Sequence, residues 1–234
     1  MTLTLTLPLT LTLTLTNQII VRCTAYLNEP GKLWEQHPPL LIERLKQCIA
    51  VDEAYQDQYR ITRDALLAQP TGKQFELNEN VIFGKLEVFC RRLEKLADMF
   101  STVEQFSNLS RHNVEGMEGL LANFSAVLKD FMRKPYDLLD YHKSHFDRDY
   151  LEFNANIQEL EAALQSFINQ SFESINSTDH ALTLLKQFQN ILQRESLKDD
   201  LDSKLLVIFH NYGLDLETVQ LPVSYTHLTL PTST

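Results

Sequence analysis

A single proline, Pro135, stands between Thr71 and Leu221. The windows on either side lack the residue that removes a backbone donor and fixes φ, which long helices tolerate and most β architectures do not show. After Asn78 the pattern becomes explicit. Ile82, Leu86, Phe89, Leu93, Leu96, Phe100 and Val103 recur at alternating spacings of four and three, an apolar heptad seam over roughly 30 residues. A helix of that length spans about 45 Å. Glu87 and Arg91 lie off the seam at i,i+4 as an outward pair of small energetic value.

The same reading predicts further helices. One runs from Val114 to Met132, with Leu120, Phe124, Val127, Leu128 and Phe131 on one face, and Pro135 ends it. Another spans about Asp147 to Ser174 on Phe153, Ile157, Leu160, Leu164, Phe167 and Ile168. Shorter ones follow at Thr178–Arg194 (Leu182, Leu185, Phe188, Ile191, Leu192) and Lys198–Tyr212 (Leu201, Leu205, Ile208, Phe209). Ser177 and Asp179 form an N-cap cluster around Thr178, and Gly213 is a stop signal for the last helix. Upstream, Leu40–Ile49 and Asp52–Ala68 read as two moderate helices after Pro38-Pro39, with a turn at Pro70-Thr-Gly72. All 13 Phe fall between Phe75 and Phe209, so the aromatic core belongs to these helices. The expected fold class is all-α: an extended bundle or stack of long amphipathic helices, with disordered or arbitrary ends.

Charge divides the 234 residues into three unlike pieces. Residues 1–21 and 221–234 contain no Asp, Glu, Lys or Arg, so the net charge of −10 falls wholly within 22–220. The N-terminal piece is a low-complexity Thr-Leu alternation. As a polypeptide it favours an exposed, aggregation-prone strand, and it lacks the basic n-region and continuous apolar stretch of a secretory signal. Half its positions carry hydroxyls, so it is not a membrane span either. A six-base repeat encodes Thr-Leu indefinitely, and the segment reads as translated simple-repeat DNA. The C-terminal piece, LPVSYTHLTLPTST, reads as an adapter-derived tail. The acidic balance argues against a nucleic-acid binder and against a polybasic membrane-surface role. It is concentrated distally: residues 78–134 are neutral, whereas 147–217 carry net −8. That stretch is either a solvated face or a docking face for a basic partner.

The search for chemistry finds no motif. There is no phosphate loop, no G-x-G-x-x-G, no H-E-x-x-H and no Glu-x-x-His pair. The densest polar cluster is Asp140, His142, His145, Asp147 and Asp149, better read as a solvated bridge between two helices than as a cation site. Arg91, Arg92 and Lys95 form a small basic cluster diluted by Glu94 and Asp98. Trp34, the sole tryptophan, reads as a local packing anchor. Cys23, Cys48 and Cys90 are odd in number and lack C-x-x-C spacing, so they read as reduced, partly buried thiols in a reducing compartment. The four N-x-S/T sequons at Asn108, Asn123, Asn169 and Asn176 read as chance. No catalytic, cofactor-binding or metal residue is assigned.

The run Asn80–Met99, NVIFGKLEVFCRRLEKLADM, resembles a segment of the dynein heavy chain N-terminal tail, particularly of axonemal type. So do Phe146–Phe153 (FDRDYLEF), His180–Phe188 (HALTLLKQF) and Ile208–Asp215 (IFHNYGLD), in the same order and approximate spacing. Leu27–Trp34 (LNEPGKLW) fits the upstream pattern, so the similarity covers roughly 22–220. The resemblance implies a non-catalytic stem element, since the ATP-hydrolysing ring lies elsewhere in that family. It implies association with other heavy chains and with dynein intermediate and light chains, no direct nucleic-acid or membrane contact, and microtubule association only through the rest of the complex. It also implies a cytoskeletal location in a ciliary or flagellar axoneme and no cofactor. The competing reading is an unrelated helical scaffold or tethering protein of spectrin-like type.

Overall fold

The computed structural model describes residues 3–68, 78–111, 114–173, 178–188, 197, 203–210 and 212–214, with side chains from residue 12 onward. Its principal helices are α1 (Leu3–Asn28), α2 (Pro38–Leu67), α3 (Glu79–Arg111), α4 (Glu118–Met132), α5 (His145–Glu173) and α6 (Thr178–Phe188), with a 3-10 turn at Leu33–Glu35 between the first two. Among the described residues there is no strand, and the fold is an all-α bundle. Among the described residues no helix is long and apolar enough to cross a membrane. Two compact units divide the chain: unit 1 holds residues 1–104 and 128–153, unit 2 holds 105–127 and 154–234.

The helix boundaries follow from local chemistry. Gly31 adopts φ +123°, which only glycine takes without strain, and turns the chain out of α1. Gln36 then reaches back, its Nε2 donating to the carbonyls of Leu27 at 2.7 Å and Gly31 at 2.8 Å, so carbonyls at the end of α1 do not go unpaired. His37 is extended (ψ 120°), as a residue before proline must be, and Pro38-Pro39 occupy the first positions of α2, where a missing N–H costs nothing. Asn78 accepts the N–H of Asn80 at 3.0 Å as α3 starts, and Glu79 takes donors from Arg60 and Arg63 of α2.

The heptad seam of α3 is realised, with every predicted position buried and the Glu87–Arg91 pair formed at 3.5 Å. The buried surface is wider than a two-position stripe, because Phe83, Cys90 and Met99 are buried as well. In unit 1 the Trp34 ring packs on Phe100 (4.9 Å between centroids) and Phe131 (6.2 Å), and Phe131 in turn meets Phe146 and Phe153 edge-on. Trp34 is thus the packing anchor its position suggested. In unit 2 Phe106 stacks on Phe124 at 4.5 Å, and Phe167 meets Phe188 at 6.4 Å.

Several expectations need correction. The two moderate helices at Leu40–Ile49 and Asp52–Ala68 are one continuous helix of 30 residues, since nothing between Ile49 and Asp52 breaks it. Its buried positions Leu41, Leu45, Cys48 and Asp52 keep one face, with a carboxylate in an apolar slot. The Thr-Leu alternation is helical from Leu3 and not extended. A helix satisfies its backbone groups within the segment, whereas a lone strand requires a partner edge. On α6 the buried residues are Ala181 and Phe188, while Leu182 faces solvent. Ile208 is buried and Phe209 exposed, and residues 212–214 are helical, so Gly213 is not a stop. The Pro70-Thr-Gly72 turn, Ser177, Ile191, Leu192 and Leu201 lie outside the described residues.

Candidate functional site

The most highly built polar site lies in unit 1, where the segment joining α4 to α5 turns a corner against α3. Arg92 is 3% exposed, and its guanidinium fork collects the corner. Nη1 donates to the carbonyls of Leu138 (3.1 Å) and Asp140 (2.9 Å), and Nη2 donates to the carbonyl of Lys143 (2.9 Å) and Oδ2 of Asp147 (3.5 Å). The Phe146 ring lies under the guanidinium carbon at 4.2 Å. A planar, always-charged fork with five donors suits this task and an ammonium does not. Burial pushes the Arg92 guanidinium below its ordinary value, and the adjacent Asp147 pulls the other way.

Neighbours complete the lock. Lys95, one turn along α3, donates to Asp147 Oδ1 at 2.7 Å, and Asp98 accepts the Tyr150 hydroxyl at 2.7 Å. Tyr136 donates to Asp149 Oδ2 at 3.0 Å. Burial first, then that hydrogen bond, pushes the Tyr136 phenol well above its usual value. Asp137 and Asp140 accept the N–H groups of Leu139 and His142, each two residues on, which are the local turns expected of aspartate in a connection. The Tyr141 ring meets Phe89 edge-on at 5.5 Å.

The densest polar cluster of the sequence is therefore brought together, but as a structural corner. Asp147 and Asp149 accept hydrogen bonds, Asp140 lends its carbonyl to Arg92, and His142 and His145 are exposed. Among the described residues no three His, Cys, Asp or Glu side chains converge as metal ligands. The basic cluster splits by direction: Arg91 is exposed, Arg92 buried, and Lys95 joins the corner. Sequence reasoning missed the role of Arg92, although a signal existed. Arg92 sits three residues after Phe89 and four before Leu96, positions that share a helical face.

A second buried group in unit 1 surrounds the thiols. Cys23, Cys48 and Cys90 are all free and buried. Burial, with the charge of Asp52 second, pushes the Cys90 thiol up to about 12. Asp52 itself is fully buried with neither carboxylate oxygen hydrogen-bonded, and burial raises its pKa to about 7.

Neither group has the arrangement of an active site, so the comparison with known proteins carries the assignment. The family profile for the dynein heavy chain, N-terminal region 1, matches residues 8–226. The chain belongs to this family. The dynein match extends into both uncharged ends. The chain is 48% identical over 206 residues, 88% of its length, to the dynein gamma chain of the flagellar outer arm of Chlamydomonas reinhardtii. It is 36% identical over 178 residues (75% of its length) to human dynein axonemal heavy chain 8. Rat dynein axonemal heavy chain 5 is 34% identical over 206 residues, or 87% of the chain. The chain spans only 5%, 4% and 6% of these dynein relatives. The matched region is the N-terminal region of the dynein heavy chain.

Proposed function

We propose that this chain is a non-catalytic tail segment of an axonemal dynein heavy chain, residing in a ciliary or flagellar axoneme. In this reading it joins heavy chains to one another and carries intermediate and light chains in a minus-end-directed, microtubule-based motor. The observation that carries the reading is the match to the dynein N-terminal region, with 48% identity to a flagellar outer-arm chain. The charged residues that offer docking contacts all lie within 22–220, and in this reading that part carries the subunits.

The physics is compatible with a load-bearing stem. The helices are long, their connection at Arg92 is locked by charge-assisted hydrogen bonds, and each unit is filled by interlocking aromatic rings. Subunit docking falls to the acidic distal helices, where Glu152, Glu159, Glu173 and Asp179 are exposed. Charge complementarity of that kind sets partner choice and encounter rate more than affinity. The test is capture of axonemal high-salt extract on the tagged 234-residue chain, read by mass spectrometry. Enrichment of dynein intermediate and light chains supports the reading. Their absence, or ATP hydrolysis by the purified chain, overturns it.

A further inference from the structure

Helix α2 changes character at Asp52. Before it Leu41, Leu45 and Cys48 are buried; beyond it, from Glu53 to Leu67, no residue of the helix is. Few contacts hold this distal half to α3. The Tyr55 and Tyr59 rings meet Phe83 edge-on at 5.7 and 5.0 Å, and Arg60 and Arg63 reach Glu79 in the first turn of α3. Asp52 lies three residues before Tyr55 and seven before Tyr59, on the same face. It is therefore the last fully buried position before a lightly held stretch. Its exposure is 0%, and neither carboxylate oxygen has a hydrogen-bond partner. Arg44 and Arg60, about two turns away on either side, are engaged with Glu29 and with Asp57 and Glu79. The titratable groups that feel its charge are the thiols of Cys23 on α1, Cys48 on α2 and Cys90 on α3, with Glu53 beside it. All are neutral or negative, so none steadies an ionised carboxylate.

We propose that Asp52 is a proton-operated latch: with its carboxyl protonated the distal half of α2 closes on α3, and loss of the proton lets that half open from its free end back to Asp52, baring Phe83. A buried carboxylate without donor or cation is tolerated neutral and is costly once charged. Opening admits water to the charge, and the distal half is the place where opening breaks least. No buried side chain is lost there except the cover over Phe83, whereas opening the proximal half uncovers Leu41, Leu45 and Cys48. Segments with few buried apolar contacts are the ones that open locally while the rest stays folded. Burial raises the closed-state pKa from 3.8 to about 7. In the open state the carboxyl returns to its ordinary value, so opening releases a proton anywhere between the two. The latch is thus tightest in acid, loosens as pH rises toward 7, and changes no further once both states are ionised.

The experiment is amide hydrogen exchange of the full 234-residue chain, read by mass spectrometry from pH 5 to 8 and corrected for the intrinsic pH dependence of exchange. The expected result is that opening of residues 53–67 rises about tenfold per pH unit between pH 5 and 7 and levels above 7, while residues 41–48 keep their protection. Asp52→Asn is expected to abolish that rise. Glu79→Gln removes the ion pairs at the far end, and it is expected to loosen the same turns at every pH while leaving the rise in place. If Asp52→Asn does not fold, the contrast between the two halves of α2 in the unaltered chain decides alone. A rise of equal size in residues 41–48, a rise that persists in Asp52→Asn, or protection of 53–67 that is flat between pH 5 and 7 overturns the proposal.

Discussion

Replacing Arg92 with methionine removes the fork and keeps much of the stem. The corner then loses its donor for the carbonyls of Leu138, Asp140 and Lys143, and Asp147 keeps only Lys95. Each stranded buried carbonyl costs about 1–3 kcal/mol, and water entering the partly open corner recovers a share. Removal of one partner from a buried charge-assisted set costs about 3–5 kcal/mol in comparable cases. The expected loss is about 3–4 kcal/mol, a large fraction of the stability of a domain this size. Trp34 packs on Phe100 and Phe131 within the same unit, so its fluorescence in a urea titration reports unit 1 alone. Arg92→Lys keeps the charge without the planar fork and is expected to recover less than half of the loss. A loss below about 1 kcal/mol for Arg92→Met, or full recovery by lysine, refutes the argument that the fork holds the corner.

Asp52 supplies a pH dependence of the opposite sign to the common carboxylate case. Its folded pKa is raised from 3.8 to about 7, so between those values the folded state holds a proton that the unfolded chain has released. Stability from this group falls as pH rises from about 4 to 7 and then levels, by on the order of 2–4 kcal/mol. Asp52→Asn is expected to flatten that slope in Trp34-monitored denaturation, and an unchanged slope contradicts it. Gly116 has φ +89°, and a Cβ there meets Phe167 Cε2 at 3.1 Å. Gly116→Ala is therefore expected to cost about 1–2 kcal/mol in a circular-dichroism melt, and an unchanged midpoint contradicts the left-handed turn. Phe106→Ala removes a fully buried ring stacked on Phe124 and is expected to cost about 3–5 kcal/mol, read the same way.

The legible part of the fold was the part written in period. The α3 seam, the Phe124 and Phe131 face of α4 and the Phe153–Ile168 face of α5 are positions where side-chain spacing alone decides burial. What escaped depended on partners distant in sequence. Arg92 looks like a surface residue until the corner 46–55 residues further on folds over it. Asp52 looks like a helix start because a lone carboxylate is an implausible core residue, yet α2 passes through it unbroken. The family assignment came from blocks spread over the chain, the kind of signal a local motif search does not see.

The central claim is subunit carriage by a dynein tail segment. Sedimentation velocity of the purified 234-residue chain mixed with a purified axonemal dynein intermediate-chain and light-chain subcomplex tests it most directly. The account predicts a faster, saturable co-sedimenting species that weakens as salt rises, as an acidic docking face requires. Two species that sediment independently at every ratio and at low salt would contradict it.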